Sequence, residues 1–266
     1  MIFVLQNDMF DTRYPHIYSL MEKLNLPYKS VRVFPFSNKV VELKDILESF
    51  DLDELQEFTP PDEPFMVFGS VKLSRIAYQK WHRGTYLNEN HDYEIYSKFY
   101  KEELLNHDCD IVSFNHDSRN WKDEYMFIRP TLDSKLFNGK KFSKAEWNDF
   151  VQYNFKNFNK DINLNEQKVV VASLKEIEEE VRFFVFKGKV VTGSRYVFEG
   201  KFSPYKWYND EAKEYAQKMV DLYQPAEAFV IDVCLTNKGW KIVEINCFNC
   251  AGYYECDLER ILKCVA

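Results

Sequence analysis

The stretch from Ala228 to Asn249, AFVIDVCLTNKGWKIVEINCFN, most constrains the fold of this chain, because it reads as two strands joined by a tight turn. The residues Asn237-Lys238-Gly239 are typical of a three-residue hairpin loop whose glycine is left-handed. Such a loop sets Asp232 opposite Glu244, and the two-residue period of a strand puts Asn246 on the same face. The sequence thus predicts two carboxylates and an amide on one patch of an otherwise apolar hairpin.

The opposite face of this hairpin is predicted to be a core face. It carries Phe229, Ile231, Val233 and Leu235 against Val243 and Ile245. The polar patch needs compensation, and a hard cation such as Mg²⁺ supplies it, since Mg²⁺ takes oxygen ligands and keeps places for water and phosphate. Alternatively, Asp232 and Glu244 pair with arginine or lysine, or they lie at an exposed rim. The hairpin alone leaves these alternatives open.

Length and charge limit the class of protein. A chain of 266 residues, 45% hydrophobic, can form one large domain or two modest ones. Its net charge of −7 argues against a protein that wraps duplex nucleic acid. The longest apolar runs have strand length, and the start MIFVLQNDMF lacks the features of a secretory signal. We therefore expect a cytoplasmic protein without a membrane span.

The six cysteines are concentrated towards the C-terminus. A chain of this size does not need disulfides for stability, so reduced thiols are expected. Cys247-x-x-Cys250, with Cys256 beyond it, would suggest zinc, but no second pair completes a ligand set. Ordinary buried thiols are the favoured interpretation.

The first 90 residues alternate short apolar runs with helical spacing. Strands are predicted at Ile2 to Leu5, Ser30 to Phe36 and Phe65 to Phe68, and helices at Tyr14 to Leu24 and Val41 to Phe50. This rhythm predicts a small parallel sheet flanked by helices. A connection at Gly84 to Asn90 then separates a first domain, residues 1–90, from a second, residues 91–266.

A segment in the middle of the chain, YMFIRPTLDSKLFNGKKF, combines a strand end with cations. The strand delivers Arg129, and a mobile-looking loop carries Lys135, Gly139 and Lys141. Arginine offers a fork of donors that matches phosphate, and lysine offers a point charge. The segment therefore either binds a triphosphate or is a solvated basic hairpin tip. A capping box, Ser143 with Glu146, predicts the helix that follows.

The segment EEEVRFFVFKGKVVTGSRYVF, Glu178 to Phe198, predicts another hairpin, with its turn at Lys187-Gly188-Lys189. Glu180 and Arg182 share one face of its first strand, and Arg195 lies near the end of the second. An arginine among apolar strand residues costs desolvation energy unless an anion meets it. That anion is either a nearby carboxylate or a phosphoryl group.

The order of these elements resembles the ATP-grasp superfamily from about Asp92 to the C-terminus. The likeness is strongest to the clade in which an arginine replaces the usual first nucleotide-binding lysine and two lysines follow, many of whose members come from phages and bacteria. It rests on Phe127-Ile-Arg-Pro130, Lys135-x-Phe137-x-Gly139, Glu180-x-Arg182, Gly193-Ser-Arg-Tyr196, Asp232 and Glu244-x-Asn246. The resemblance implies an α+β ATP-grasp fold, with antiparallel sheets and helices cradling a nucleotide, preceded by a small α/β pre-ATP-grasp domain.

The resemblance also implies a role for each site residue. Arg129 and a loop lysine, Lys135 or Lys141, would hold phosphates. The backbone around Ala172, Ser173 and Leu174 would meet adenine, and Glu180 would lie at the nucleotide. Arg182, assisted by Arg195, would stabilise the transferred phosphoryl group. Asp232, Glu244 and Asn246 would hold Mg²⁺.

The activity implied by the resemblance is that of an ATP- and Mg²⁺-dependent carboxylate–amine ligase that forms an acyl-phosphate. Its partners would be small-molecule, peptide or protein carboxylates and amines. The alternatives are phosphoryl or nucleotidyl transfer at the same nucleotide site, or a nucleotide-binding module without turnover. Substrate selectivity is expected to lie in the first 90 residues and in the loop from Asn115 to Asp123.

Overall fold

A computed structural model of the chain describes residues 1–34, 37–48, 55–117, 121–132, 136–157 and 163–266. Within these residues the strands form sheets of four, four and five strands. No helix of the described chain is both long enough and apolar enough to cross a membrane.

The first sheet is mostly parallel, as the sequence predicts. Its strands are β1 (Ile2–Gln6), β2 (Tyr28–Val33), β3 (Val40–Glu42) and β4 (Phe65–Phe68), in the order β3-β2-β1-β4. The helices are α1 (Asn7–Arg13), α2 (His16–Lys23), α3 (Leu43–Glu48) and α4 (Val71–Ile76). β1 pairs parallel with β2 and β4, whereas β3 is an antiparallel edge strand. The predicted helix from Val41 was wrong at its start, because its first two residues continue β3.

The second sheet is antiparallel. Its strands are β5 (Asp110–Ser113), β6 (Tyr125–Pro130), β7 (Lys140–Ser143) and β8 (Lys168–Ser173), in the order β5-β8-β6-β7. Helix α5 (Tyr93–Tyr100) precedes it, and α6 (Lys144–Asn157) follows β7. The capping box is confirmed, since the Ser143 amide donates to Glu146 Oε2 at 2.8 Å and the Glu146 amide donates to Ser143 Oγ at 3.3 Å. The expected mobile loop is wrong at Lys141, which lies in β7.

The third sheet is also antiparallel and lies at the centre of the chain. Its strands are β9 (Glu179–Phe186), β10 (Lys189–Phe198), β11 (Lys201–Tyr205), β12 (Ala228–Thr236) and β13 (Gly239–Cys247), in the order β11-β10-β9-β12-β13. Helix α7 (Asp210–Leu222) packs on one face, and α8 (Leu258–Val265) packs on the other.

The hairpin of β12 and β13 reaches its expected register by an unexpected route. Thr236 pairs with Gly239, so the connecting loop has two residues rather than the predicted three, although Gly239 is left-handed as predicted, with φ +92°. A shift of register beside Val243 then restores the pairing of Asp232 with Glu244. The bulge also corrects the predicted core face, because Ile242 is fully buried where Val243 was expected.

The first and third sheets share one hydrophobic core. Phe3, Leu5 and Phe68 of the first sheet lie in the same cluster as Phe184 and Val230 of the third. Several hydrogen bonds across this boundary converge on Asn249. The expected division of the chain at about residue 90 stays a prediction.

Candidate functional site

A buried ion pair connects the two central strands of the third sheet. Asp232 lies opposite both Arg182 and Glu244 in the strand register. Arg182 Nε donates to Asp232 Oδ1 at 2.8 Å, and Arg182 Nη2 donates to Asp232 Oδ2 at 2.6 Å. A third donor, Nη1, meets the Gly252 carbonyl at 3.1 Å. The bidentate fork fixes the plane of the guanidinium.

Glu244 and Asn246 adjoin this pair. Asn246 Nδ2 donates to Asp232 Oδ2 at 3.2 Å and to Glu244 Oε1 at 2.9 Å. Glu244 Oε2 lies 3.1 Å from Nη1 of Arg129, which comes from the end of β6 in the second sheet. The three oxygen-bearing side chains of the sequence prediction therefore lie together, between Arg129 and Arg182.

These residues line a cleft of about 570 Å³ between the second and third sheets. Arg129, Glu180, Arg182, Glu244 and Asn246 all contribute to its wall. At one end the wall is largely apolar, and at the other it includes α1 of the first sheet and the loop after β13. The apolar end is formed by Leu105, Phe127, Leu174, Ile177 and Val243, and the far end by Arg13, Tyr14, Cys250, Gly252 and Tyr254. Such an elongated cleft has room for two ligands placed end to end.

The charges at the site are shifted by burial. Burial raises the pKa of Glu180 from 4.5 to about 6, and the carboxylates of Asp232 and Glu244 add to the effect. The hydroxyl of Tyr196 donates to Glu180 Oε2 and acts in the other direction. Burial opposes the charge of Arg182, but its partner Asp232 outweighs burial and raises the pKa of Arg182. Arg182 is therefore a permanent cation in the cleft.

Tyr254 occupies a strained position beside Arg182. Its φ is +49°, a left-handed conformation that is rare for a bulky residue. Tyr14 holds it there, because the Tyr14 hydroxyl accepts hydrogen bonds from the amides of Tyr253 and Tyr254, each at 3.1 Å. The Tyr254 ring stacks on Tyr196 with centroids 4.8 Å apart, and Arg182 Cζ lies 4.8 Å from its centroid. The first sheet thus positions an aromatic ring at the site.

Five of the residues predicted for the site do not line the cleft, and a sixth, Lys135, lies outside the described residues. The five are Arg195, Lys141, Ala172, Ser173 and Asp232. Lys141 Nζ lies 5.0 Å from the ring centroid of Tyr125, on the outer part of β7. Arg195 pairs across the sheet with Val181, so it faces away from Arg182, and Phe198 covers it at 4.4 Å. Its expected position beside Arg182 was wrong, because adjacent residues of a strand point to opposite faces.

The predicted nucleotide hinge lies slightly too early in the chain. Ala172 is buried within β8, and Ser173 Oγ donates to Asp123 Oδ2 at 2.6 Å. Of the three predicted hinge residues, Leu174 lines the cleft, and Lys175 and Ile177 follow it there. The sequence analysis missed both of these, although they directly follow a predicted strand.

The donors around Glu244 fit a magnesium ion. The side chain of Glu244 is 26% exposed and presents a carboxylate to the cleft beside the Asn246 amide, and hard cations prefer oxygen ligands of these types. Asp232 is different, since its side chain is fully buried and both of its oxygens accept from Arg182. The alternative of carboxylates paired with arginine is therefore observed for Asp232.

The cysteines form no metal site. All six are free thiols, and the described chain contains no cluster of three or more His, Cys, Asp or Glu side chains that would hold a metal ion. The zinc alternative raised by Cys247 and Cys250 has no further ligands in the described residues.

Comparison with known proteins was made by sequence and by structure. The sequence profile that matches residues 54–265 describes an ATP-grasp domain, family 3 of the clade named for one arginine and two lysines. No curated protein matches the sequence.

Solved structures of similar fold include two ligases. The D-alanine–D-alanine ligase of Bacillus anthracis aligns with 99% of this chain and 91% of its own at 12% identity, with a TM-score of 0.59. The D-alanine–D-alanine ligase of Coxiella burnetii aligns with 93% of this chain and 85% of its own at 10% identity, with a TM-score of 0.62. A RimK domain ATP-grasp protein of Sphaerobacter thermophilus aligns with 93% and 91% at 9% identity, with a TM-score of 0.57. At such identities the likeness establishes the fold.

Proposed function

Because this chain belongs to the ATP-grasp family, in the clade named for one arginine and two lysines, we propose that it joins a carboxylate to an amine through an acyl-phosphate. Membership confirms the expected ATP-grasp fold and the expected enzyme class, an ATP-dependent ligase with ATP and Mg²⁺ as cofactors. The two D-alanine–D-alanine ligases are named for substrates that are amino acids, which supports an amino acid or peptide as the substrate here.

The single observation that carries the proposal is the convergence of Arg129, Arg182, Glu244 and Asn246 on one cleft. They come from strands of two different sheets, which suits a nucleotide held between the sheets. The base would lie at the apolar end, near Leu174 and Ile177. The phosphates would then extend past Arg129 towards Arg182, which balances their charge.

Glu244 and Asn246 would hold Mg²⁺, which when bound neutralises phosphate oxygens and aligns them. Asp232 would act mainly by holding Arg182 and Asn246 in place. Lys135 and Lys141 stay predictions for phosphate binding, and neither is needed for the convergence described above.

Arg182 would stabilise the charge on the transferred phosphoryl group. Its fork is held by Asp232 and the Gly252 carbonyl, so little reorganisation is needed during the reaction. In the first step a carboxylate oxygen of the substrate attacks the γ-phosphorus, and ADP leaves. In the second step the amine nitrogen attacks the acyl carbon, and inorganic phosphate leaves with the loss of one amine proton.

Trapping with hydroxylamine tests this proposal without knowledge of the natural amine. Hydroxylamine attacks an acyl-phosphate to give a hydroxamate and phosphate. The protein, ATP, Mg²⁺ and a panel of amino acids and peptides should yield ADP and a hydroxamate detectable by mass spectrometry. ADP with a stable phosphorylated product would indicate a kinase, and AMP would indicate nucleotidyl transfer. ATP binding by thermal shift without turnover of any panel member would indicate a binding module.

Glu244→Gln is the matched variant for this assay. It keeps the size of the side chain but removes the charge that faces the cleft, so we expect a loss of turnover of about 100-fold or more. Since the side chain is partly exposed, the melting temperature should change little. Turnover within about threefold of the parent would count against the metal assignment.

A further inference from the structure

The floor of the cleft continues outward from Arg182 as a row of three aromatic rings. We define Tyr196, Tyr254 and Phe202 as the aromatic shelf. Tyr254 stacks on Tyr196, and Phe202 meets Tyr254 edge-on with centroids 5.7 Å apart. The shelf begins at the guanidinium of Arg182, which lies over Tyr254, and ends at the edge strand β11. It is therefore continuous with the proposed active site, on whose assignment this inference rests.

Strand register places Phe202 on the cleft face of the third sheet. Val197 of β10 pairs with both Phe202 of β11 and Glu180 of β9, so these residues share a face, and Glu180 lines the cleft. Tyr205, also in β11, pairs with Arg195 and belongs to the opposite face. One exposed aromatic residue of β11 thus faces the site, and another faces away from it.

Phe202 is 69% exposed, although it belongs to a ring cluster whose inner members are largely shielded. A large exposed aromatic ring in contact with the wall of a cleft suits a ligand that covers it. The steps from Arg182 to Tyr254 and from Tyr254 to Phe202 are 4.8 and 5.7 Å. A ligand that reaches from the guanidinium to Phe202 therefore spans about 10 Å, or about three residues of extended peptide at ~3.3 Å each. A single amino acid is too short.

The edge of β11 argues against a second copy of this chain as the occupant. Pro204 lies within this strand and lacks the amide that strand pairing needs, and Lys201 adds a charge. Both features protect an edge from pairing with another sheet. The shelf instead offers side-chain contacts across the sheet face, which suits a peptide that crosses it.

We propose that the substrate carboxylate is the C-terminus of a peptide at least three residues long, and that an apolar side chain two residues before this terminus packs on Phe202. The terminal carboxylate lies at Arg182, where it meets the γ-phosphate. The preceding residues run outward over Tyr254. The peptide leaves the site in this direction, since α1 and Tyr14 line the far end of the cleft.

The test compares hydroxamate formation from N-acetyl-Phe-Gly-Gly, N-acetyl-Ala-Gly-Gly and N-acetylglycine, with the C-terminal amide of the first peptide as a blank. The Phe peptide should have the lowest KM. Phe202→Ser should raise that KM about tenfold, the loss expected for one aromatic contact, and leave the KM for ATP unchanged. Tyr205→Ser is the matched control on the opposite face, and its KM should stay within about twofold of the parent.

The outcomes separate this inference from the proposed function. Hydroxamate from N-acetylglycine as readily as from the tripeptides would overturn the inference and leave the ligase assignment intact. Equal effects of Phe202→Ser and Tyr205→Ser would also overturn it, as would a parent dimer, seen by light scattering, that Phe202→Ser dissociates. If no carboxylate yields ADP or hydroxamate, the proposed function fails and this inference fails with it. Unchanged melting temperatures would show that both variants fold.

Discussion

The pairing of Arg182 with Asp232 shows how one side chain can limit the role of another. A buried arginine needs a carboxylate to offset the cost of its desolvation, and Asp232 supplies both oxygens. The strand sequence indicated that Arg182 needs an anion but not which one, because the partner comes from a strand 50 residues later. In consequence Glu244, rather than Asp232, is the carboxylate that faces the cleft.

Asp232→Asn should destabilise the fold as well as impair turnover. The substitution leaves the guanidinium of Arg182 buried without a compensating charge, which costs about 3–5 kcal/mol in the free energy of unfolding. Urea denaturation measures this loss. The matched control is Glu227→Gln, whose exposed partner Lys187 lies 3.5 Å away and whose effect should stay below about 1 kcal/mol. Equal effects of the two substitutions would contradict the assignment of a buried ion pair.

Glu180 is expected to make stability depend on pH. Its pKa is raised to about 6 in the folded protein, so folding favours the protonated acid. Its contribution to stability is therefore complete below about pH 4.5 and is lost as the pH rises through 6, a change of roughly 2 kcal/mol. Glu180→Gln should flatten this part of the stability profile and raise the stability at about pH 8, as measured by urea unfolding at several pH values. Parallel profiles for parent and variant would refute the shift.

At the scale of elements, the β-bulge at Val243 aligns the site. It turns Val243 towards the cleft, where its carbonyl accepts from Arg129 Nη1 at 3.3 Å, and it brings Glu244 opposite Asp232. Bulges often re-aim side chains beside active sites. The sequence predicted the correct pair from an incorrect loop, because a one-residue error in the loop and the unforeseen bulge cancel.

Other elements were predictable only where a strong pattern marked them. Helices α6 and α7 carry caps, at Ser143 and Asn209, and both were expected within about two residues. β7 has four residues after a glycine-containing loop, and β11 contains a proline, so neither has a recognisable strand pattern. The far end of the cleft was not foreseen either, since Tyr14 and Tyr254 meet only through tertiary packing.

Gly139 tests how closely its loop must cross the end of β6. A Cβ at this position would lie 2.8 Å from Phe127 Cζ and 3.1 Å from Arg129 Cβ. Gly139→Ala should therefore push the loop away from two residues of the cleft and raise the KM for ATP by about tenfold or more. The melting temperature should change little, since the loop is at the surface. An unchanged KM would show that the close approach does not serve the nucleotide.

At the scale of the whole molecule, Asn249 connects the end of β13 to the first sheet. Its Nδ2 donates to the Val67 carbonyl at 2.7 Å, and its Oδ1 accepts from the Tyr86 amide at 2.8 Å. The Gly69 amide donates to its backbone carbonyl at 3.0 Å. Since Asn249 is almost fully buried, these bonds have no ready replacement by water.

Asn249→Ala should lower the stability of the entire chain. It leaves the Val67 carbonyl and the Tyr86 amide without their partner, at a cost of about 2–4 kcal/mol. Because the first and third sheets share a core, far-UV circular dichroism and tryptophan fluorescence should report one common transition. Asn165→Ala, at an exposed position, is the control and should cost less than about 0.5 kcal/mol. Two separate transitions in the parent would contradict a shared core.

The contacts of Asn249 bear on the construction of chimeric enzymes. An exchange of residues 1–90 between relatives, made to transplant substrate preference, would cut through this hydrogen-bonded junction and through the packing of Phe68 on Phe248. The donor segment would meet a foreign partner at both places. A workable graft would have to bring its own version of residues 247–265, so the natural unit of recombination is discontinuous along the chain.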